Sequence, residues 1–139
     1  MMISGECFCA RVKYQIHGTL RDARSCHCSR CRKAFSSQAS AYALVNSDEF
    51  EWLQGEALLT SYQSQPDFGL KFCSLCGSTL CGTYQGNVHG VILGCVNGDP
   101  NVDIGYHIYL GSKAVWESLP ANISGFSEGL PENTKPSST

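Results

Sequence analysis

Cysteine is the residue type in this chain that offers the most scope for reactivity and metal binding. The chain has 139 residues, of which nine are cysteines. The densest group is Cys26, Cys28 and Cys31, where three thiols fall within six positions. Crowded thiolates repel one another unless a soft cation such as zinc lies between them. Structural zinc sites have four protein ligands, whereas catalytic sites keep one position open for water or substrate. Three cysteines therefore predict a metal site with an open position.

Two further cysteine pairs together supply the four ligands of a structural zinc site. Cys7 and Cys9 lie near the start of the chain, and Cys73 and Cys76 lie near its middle, directly before Gly77. A glycine there favours the left-handed turn that points backbone N–H groups at sulfur. A metal held by both pairs would make its binding energy part of the folding energy. The alternative of buried free thiols stays open, but two paired spacings favour metal.

The cysteine pattern also favours metal over disulfides. The count is odd, the thiols are clustered, and residues 1–6 show neither the basic nor the apolar part of a secretory signal. No apolar run approaches the roughly 18 residues of a membrane helix. We therefore expect a reducing, cytoplasmic location and no membrane partner.

Composition limits the other function classes. Hydrophobic residues make up 42% and charged residues 16% of the chain, which is typical of a globular domain, and the net charge of −2 argues against nucleic acid as a partner. The length suits one domain, which we place at residues 1–123. Residues 124–139 contain few apolar side chains and are expected to form a loose tail.

The second metal site leaves its fourth ligand open. Alternation along an extended segment places His27 on the opposite side from Cys26 and Cys28, so we expect His27 to point away from the metal. Cys81 and Cys95 are candidate fourth ligands, although both also fit a buried apolar role in a strand. If neither binds, an external thiol or water completes the tetrahedron.

Three cations flank this site at Arg30, Arg32 and Lys33. They form either a solvated face that offsets the thiolate charge or a cradle for the carboxylates of a substrate, which arginine binds in a bidentate manner. The two interpretations are compatible, and both stay open.

The elements that carry these residues are predicted to be mostly strands. Val12, Tyr14 and Ile16 alternate with polar residues, which predicts a half-buried strand over residues 10–17. No segment has a long helical period, so the fold class is mostly β. Further strands are predicted at residues 40–45, 50–53, 57–62, 79–84, 88–95 and 106–110, with a short helical turn at 30–35.

The order of these motifs resembles the glutathione-dependent formaldehyde-activating enzyme family, which includes relatives of centromere protein V. The resemblance covers roughly residues 4–118. It rests on Gly5-x-Cys7-x-Cys9, Cys26-His27-Cys28-Ser29-x-Cys31-Arg32-Lys33, Phe72-Cys73-x2-Cys76-Gly77-Ser78, His107-Ile108-Tyr109 and Ser112-Lys113-Ala114-x-Trp116.

The resemblance implies a Mss-four-like zinc-binding β fold of packed antiparallel sheets with short helical turns. It also implies two zinc ions per chain. The structural ion would be held by Cys7, Cys9, Cys73 and Cys76, and the catalytic ion by Cys26, Cys28 and Cys31. The family's named activity is the condensation of formaldehyde with glutathione to S-(hydroxymethyl)glutathione, a carbon–sulfur lyase reaction. A small thiol, possibly glutathione, is then the expected partner, and Arg30, Arg32 and Lys33 are the candidates to bind its carboxylates.

Two other functions are compatible with the same cysteines. The first is a non-enzymatic zinc module that binds a partner protein or nucleic acid, against which the net charge of −2 stands. The second is a thiol redox or metal-buffering protein, but the Cys73-x2-Cys76 motif lacks the strand-then-helix setting of redox motifs.

Overall fold

The computed structural model describes residues 2–131, in which it has eleven strands and one α-helix. The strands are β1 (Met2–Glu6), β2 (Lys13–His17), β3 (Arg21–Cys26), β4 (Ser40–Leu44), β5 (Phe50–Gln54), β6 (Leu59–Gln65), β7 (Phe68–Cys73), β8 (Thr79–Tyr84), β9 (Asn87–Ile92), β10 (Val96–Asn97) and β11 (Tyr106–Ile108). The helix is α1 (Ser29–Phe35), and short 3-10 turns cover Ser47–Glu49, Glu56–Leu58, Leu93–Cys95 and Leu110–Ser112. The mostly β class predicted from the sequence is confirmed. Within these residues, no helix has the length and apolar character needed to cross a bilayer.

The chain divides into two compact units, each assembled from two separate stretches. Among the described residues, the first unit contains residues 2–21 and 43–102, and the second contains residues 22–42 and 103–131. The single domain expected over residues 1–123 stays a prediction, because this division does not show whether the units fold together.

The core of the first unit is organised around β2, which pairs antiparallel with β1 and β5. β2 buries Tyr14 and Ile16 completely, leaves Lys13 and Gln15 partly exposed and exposes His17, so the predicted alternation is confirmed. The Tyr14 ring stacks on Phe50 with 4.9 Å between ring centroids. Gly5 of β1 faces the same ring, and a Cβ at this position would overlap it. Glycine is therefore required here by close packing.

The strands β6 to β9 of the first unit pair antiparallel in chain order. β8 and β9 are joined through Gln85 and Gly86, whose φ angles of 50° and 84° are both positive, as tight hairpins require. The connection between β7 and β8 is different, because β7 ends at Cys73 and the loop that follows contains Cys76.

In the second unit, β3 lies between β11 and β4. β11 runs parallel to β3, with Tyr106 beside Arg24, His107 beside Ser25 and Ile108 beside Cys26. The resemblance implied packed antiparallel sheets, and this sheet is mixed because it contains the parallel pair of β11 and β3. The physical reason is that β11 is not the next strand after β3 but returns to it after a long crossover, which permits parallel pairing.

Backbone hydrogen bonds hold the first part of the segment that was expected to be a loose tail. His107 donates its N–H to the Ser124 carbonyl at 2.9 Å, and Phe126 donates back to the His107 carbonyl at 2.9 Å. Tyr109 donates to the Glu128 carbonyl at 2.8 Å. Residues 124–128 thus differ from the expectation because their backbone pairs with β11 and the residue after it, while residues 132–139 lie outside the described part.

Candidate metal centres

The four-cysteine cluster, formed by Cys7, Cys9, Cys73 and Cys76, lies in the first unit, and all four Sγ atoms lie within 4.8 Å of one another. Cys9 Sγ is 3.6 Å from Cys7 Sγ and 3.9 Å from Cys73 Sγ. Zinc–sulfur bonds of about 2.3 Å in a tetrahedron separate the sulfurs by about 3.8 Å, whereas a disulfide needs about 2.05 Å. All four thiols are free. The donor set therefore fits a tetrahedral metal ion.

A turn of the backbone positions the first pair of this cluster. The Cys7 carbonyl accepts a hydrogen bond from Ala10 N–H at 3.0 Å, and Ala10 adopts a left-handed φ of 65°. Val12 N–H then donates to Cys7 Sγ at 3.3 Å. The one-residue spacer between Cys7 and Cys9 can present both sulfurs on one side because the chain turns directly after them.

The second pair uses a matching turn with a glycine. Gly77 has a φ of 82° and donates its N–H to the Cys73 carbonyl at 2.8 Å. Ser78 connects the two pairs, because its Oγ accepts from Phe8 N–H at 2.8 Å and lies 3.5 Å from Cys76 Sγ. The two turns are thereby held together by groups other than the sulfurs.

Hydrogen bonds prepare part of the four-cysteine cluster for metal binding. Burial acts to raise the pKa of Cys76, but hydrogen bonds from the Ser78 hydroxyl and backbone, and from the Cys9 backbone, lower it to about 5. The backbone and side chain of Arg11 lower the pKa of Cys9, whereas burial raises the pKa of Cys7. Because the thiolate is the form that binds metal, the lowered values favour binding near neutral pH.

The three-cysteine cluster, formed by Cys26, Cys28 and Cys31, lies in the second unit where β3 passes into α1. Its Sγ atoms lie within 4.8 Å of one another, and those of Cys26 and Cys28 are 3.5 Å apart. Cys28 is the N-cap of α1, and its Sγ accepts a hydrogen bond from Cys31 N–H at 3.3 Å. Among the residues that the structure describes, the group contains three protein donors and no fourth. The donor set fits a zinc ion with one position left for another ligand.

Hydrogen bonding within the three-cysteine cluster shifts the pKa values of Cys26 and Cys31 in opposite directions. A hydrogen bond with the Cys31 thiol lowers the pKa of Cys26 to about 6, burial opposes the shift, and the Cys28 backbone and the positive charge of Arg24 add to it. The same hydrogen bond raises the pKa of Cys31. The thiolate form of Cys26 is therefore favoured near neutral pH.

His27 points away from the three-cysteine cluster, as predicted. Its side chain is buried, with 1% exposure, on the other face of β3, next to Ser25. Its Nε2 lies 2.9 Å from His107 Nδ1, and its Nδ1 lies 3.3 Å from Glu117 Oε1. These contacts, which the sequence did not reveal, hold the peptide between Cys26 and Cys28.

The predicted cations are distributed along α1. Arg30 and Lys33 are exposed, and Arg32 is half-buried with its Nε atom buried and without a hydrogen-bond partner. Arg32 and Lys33 belong to the last turn of the helix, where positive charge also stabilises the helix dipole. Their role towards a substrate stays a prediction.

Two cysteines belong to neither cluster. Cys81 is fully buried in β8, and Cys95 Sγ lies 3.5 Å from the Thr79 carbonyl oxygen. Neither is part of the three-donor group. Cys81 fits the buried apolar role that the sequence offered as the alternative to ligation, whereas Cys95 is half-buried in the 3-10 turn Leu93–Cys95.

Sequence reasoning missed Arg24, which is 8% exposed in β3. Its guanidinium carbon lies 5.5 Å from the centroid of the Tyr42 ring and 5.2 Å from that of Tyr106. The available signal was its position two residues before Cys26, which places both side chains on one face of a strand. That signal required the strand β3 to be recognised first.

Comparison with known proteins found matches to a family model and to solved structures. The model of a family described as glutathione-dependent formaldehyde-activating enzyme matches residues 2–112. A crystal structure of a Rhodobacter sphaeroides protein shares 27% sequence identity with a TM-score of 0.54, over 70% of this chain and 92% of that one. No curated protein matches the chain.

Proposed function

The chain belongs to the glutathione-dependent formaldehyde-activating enzyme family, and from this we propose that it is a zinc-dependent carbon–sulfur lyase. The reaction would join a small aldehyde to glutathione or a related thiol. The observation that carries the proposal is the three-cysteine cluster, whose donor set has room for a further ligand. A closed set of four thiolates would serve structure alone.

The two clusters would hold two zinc ions with different roles. The four-cysteine cluster would bind the structural ion, and Cys26, Cys28 and Cys31 would bind the catalytic one. Zinc with an open position can lower the pKa of a thiol and polarise a carbonyl oxygen. In the addition, a bond forms between the thiol sulfur and the aldehyde carbon, and the proton lost from sulfur ends on the former carbonyl oxygen. The reaction needs no oxidant or reductant.

The protein's own residues would orient the substrate. Arg30, Arg32 and Lys33 lie on the helix that carries Cys31, and their charges suit the carboxylates of glutathione. Contacts of His27 fix the peptide between two of the proposed ligands, which keeps the site in one geometry. All nine thiols are free, which is consistent with the reducing cytoplasm that we propose as the location.

The test combines metal analysis with a direct assay of the reaction. Zinc-loaded protein, glutathione and ¹³C-formaldehyde are mixed, and formation of the hydroxymethyl thioether is followed by NMR against buffer alone. We expect acceleration by the wild type and its loss in Cys28→Ser, with metal content falling from two ions to one and the circular dichroism spectrum unchanged. Cys81→Ala is the matched control, because it removes a thiol outside both clusters.

Two outcomes would contradict the proposal. The first is a wild type that gives no acceleration with formaldehyde and glutathione, and the second is a Cys28→Ser variant that keeps both metals and full activity. Salt-dependent retention of DNA by a catalytically inactive wild type would instead support the non-enzymatic zinc module.

A further inference from the structure

Arg24 is a buried cation with an unused hydrogen-bond donor. It is 8% exposed, its Nε donates to the Asp22 backbone carbonyl at 3.0 Å, and its Nη2 is buried without a hydrogen-bond partner. The rings of Tyr42 and Tyr106 lie over the guanidinium, with their centroids 5.5 Å and 5.2 Å from its carbon. Burial of a charged donor without an acceptor raises the free energy of the folded protein. We therefore expect Nη2 of Arg24 to bind an acceptor that comes from outside the chain.

Two more buried polar atoms without partners lie on the strands that flank Arg24. Tyr106 stands beside Arg24 in the parallel register of β11 and β3, and its hydroxyl has no hydrogen-bond partner. Ser40 Oγ, also without a partner, lies two residues before Tyr42 on β4 and therefore on the same face as Tyr42. We call Arg24, Ser40 and Tyr106 the buried donor group. Each of them can donate a hydrogen bond, so the group suits an anionic acceptor.

The buried donor group lies on the side of the sheet that carries the three-cysteine cluster. Arg24 and Cys26 are two residues apart in β3, so their side chains share a face at a spacing of about 6.6 Å along the strand. His27 and His107 occupy the opposite face. A molecule with a sulfur at the cluster can therefore place a second group near Arg24 without crossing the sheet.

We propose that Arg24, assisted by the Tyr106 hydroxyl, binds a carboxylate of the thiol whose sulfur reaches the three-cysteine cluster. This inference rests on the proposed function and narrows it, because it defines the substrate class as thiols that carry a carboxylate. A buried guanidinium discriminates more strongly between thiols with and without a carboxylate than the exposed cations of α1 do, because water and salt screen its charge less. The donor atoms lie beneath the surface, so binding requires the ring of Tyr42 or Tyr106 to move aside.

Arg24 also has a role that needs no ligand, because its charge balances the thiolate of Cys26. That role acts on the cluster itself and affects every thiol substrate to the same degree. A carboxylate-binding role affects only thiols with a carboxylate. Comparison of glutathione with 2-mercaptoethanol, which has a hydroxyl group and no carboxylate, separates the two.

The experiment measures KM and kcat of the zinc-loaded enzyme for both thiols with formaldehyde. Arg24→Gln is expected to raise KM for glutathione by about tenfold to a hundredfold, and to change KM for 2-mercaptoethanol by less than about threefold. Tyr106→Phe keeps the ring that contacts Arg24 and removes one donor, so a rise of about threefold to tenfold for glutathione alone is expected. Lys13→Gln, an exposed cation of the first unit, is the control and leaves both thiols unaffected.

A second measurement does not depend on turnover. Line broadening of ¹³C-acetate is recorded with zinc-loaded wild type, Arg24→Gln and Tyr106→Phe, each checked for two metal ions. Broadening by the wild type that is lost in Arg24→Gln supports a carboxylate site, and its displacement by glutathione shows that the substrate's own carboxylate uses it. Displacement by sulfate but not by glutathione identifies a site for free inorganic anions and contradicts the substrate assignment.

The inference is overturned if the variants affect both thiols equally, or if they affect neither, or if acetate broadening is the same in the wild type and Arg24→Gln. A wild type that accelerates neither thiol counts against the proposed function, and the acetate measurement then still decides whether Arg24 binds carboxylates. If Arg24→Gln fails to fold, Tyr106→Phe carries the same comparison.

Discussion

The four-cysteine cluster of the first unit and the three-cysteine cluster of the second use the same ligand atom in two different chain geometries. In the first, Cys9 and Cys73 are 64 residues apart in sequence, and the sulfurs come from two separate turns. In the second, all three sulfurs come from residues 26–31, at the end of one strand and the start of one helix. The four-cysteine cluster therefore joins distant segments of the chain, whereas the three-cysteine cluster lies within one short segment.

This difference determines how much each metal contributes to folding. Closing a loop of about 64 residues costs roughly 2 kcal/mol more entropy than closing one of about five, so a metal that holds the long loop closed removes more freedom from the unfolded chain. The long-range metal site is thus tied to the stability of the fold. The local one is left freer to exchange ligands, which is what a site with an open position needs.

The largest effect expected from this comparison follows from substitution of one ligand in each cluster. Cys73→Ser should destabilise the zinc-loaded protein by more than about 5 kcal/mol, because binding of a structural zinc supplies energy of the order of a whole domain's stability. Cys28→Ser should cost less than about 2 kcal/mol. Denaturant unfolding with zinc analysis measures both.

Cys81→Ala is the control for the loss of a buried thiol, and it should keep both metals and cost about 1 kcal/mol. Equal stability of the Cys73→Ser and Cys28→Ser variants would contradict the larger contribution to folding that we assign to the metal of the four-cysteine cluster. So would a Cys73→Ser protein that still binds two metal ions and unfolds like the wild type.

The sequence predicts those features of the clusters that depend on residues close together in the chain. It does not predict those that depend on the pairing of distant strands. The ligand sets could be proposed because paired spacings are visible in the sequence, and α1 was expected over residues 30–35 and begins at Ser29. The alternation of Tyr14 and Ile16 predicted β2 in the same way.

The strand β3 escaped prediction because its sequence, Arg-Asp-Ala-Arg-Ser-Cys, shows no apolar alternation. The side chains of Arg24 and Cys26 lie on one face of β3, and that of Ser25 lies on the other. The neighbours of Arg24 are set by parallel pairing with β11, a strand far along the chain. Local patterns carry no information on such pairing, so the buried donor group and the contact of His27 with Glu117 required the structure.

A second prediction contrasts the clustered thiols with a solitary one. Burial raises the pKa of Cys81 to about 12, whereas the pKa of Cys26 is lowered to about 6. Cys81 keeps its proton in the folded chain at a pH where the unfolded chain, with a pKa near 9, has lost it. Its contribution to stability is therefore complete below pH 9 and is lost as the pH rises from 9 towards 12.

The expected loss from Cys81 is about 1.4 kcal/mol between pH 8 and pH 10, of which about 1 kcal/mol falls between pH 9 and pH 10. Unfolding of wild type and Cys81→Ala by denaturant at pH 8, 9 and 10 measures it, and the stability of the wild type relative to Cys81→Ala should fall by that amount. A constant difference over this range would show that Cys81 ionises as readily in the folded chain as in the unfolded one.

The smallest predicted effect lies in the turns of the four-cysteine cluster. One turn has Gly77 at a left-handed φ of 82°, and the other has Ala10 at 65°. A left-handed residue with a Cβ costs about 1–2 kcal/mol, while glycine costs about 0.5–1 kcal/mol through the greater freedom of the unfolded chain. Ala10→Gly should therefore raise the free energy of unfolding by roughly 0.5–1 kcal/mol.

Ser36→Gly is the matched change in the second unit, because Ser36 ends α1 at a φ of 51°. It should give a gain of similar size. Removal of metal by a chelator should affect the two increases in the free energy of unfolding differently. Ala10 lies in the turn that positions ligands of the four-cysteine cluster, whereas Ser36 lies outside the three-cysteine cluster. We expect the Ala10→Gly gain to shrink in metal-free protein and the Ser36→Gly gain to persist in whatever structure the second unit retains. If both gains respond to the chelator in the same way, the four-cysteine cluster is no more closely coupled to folding than the three-cysteine cluster.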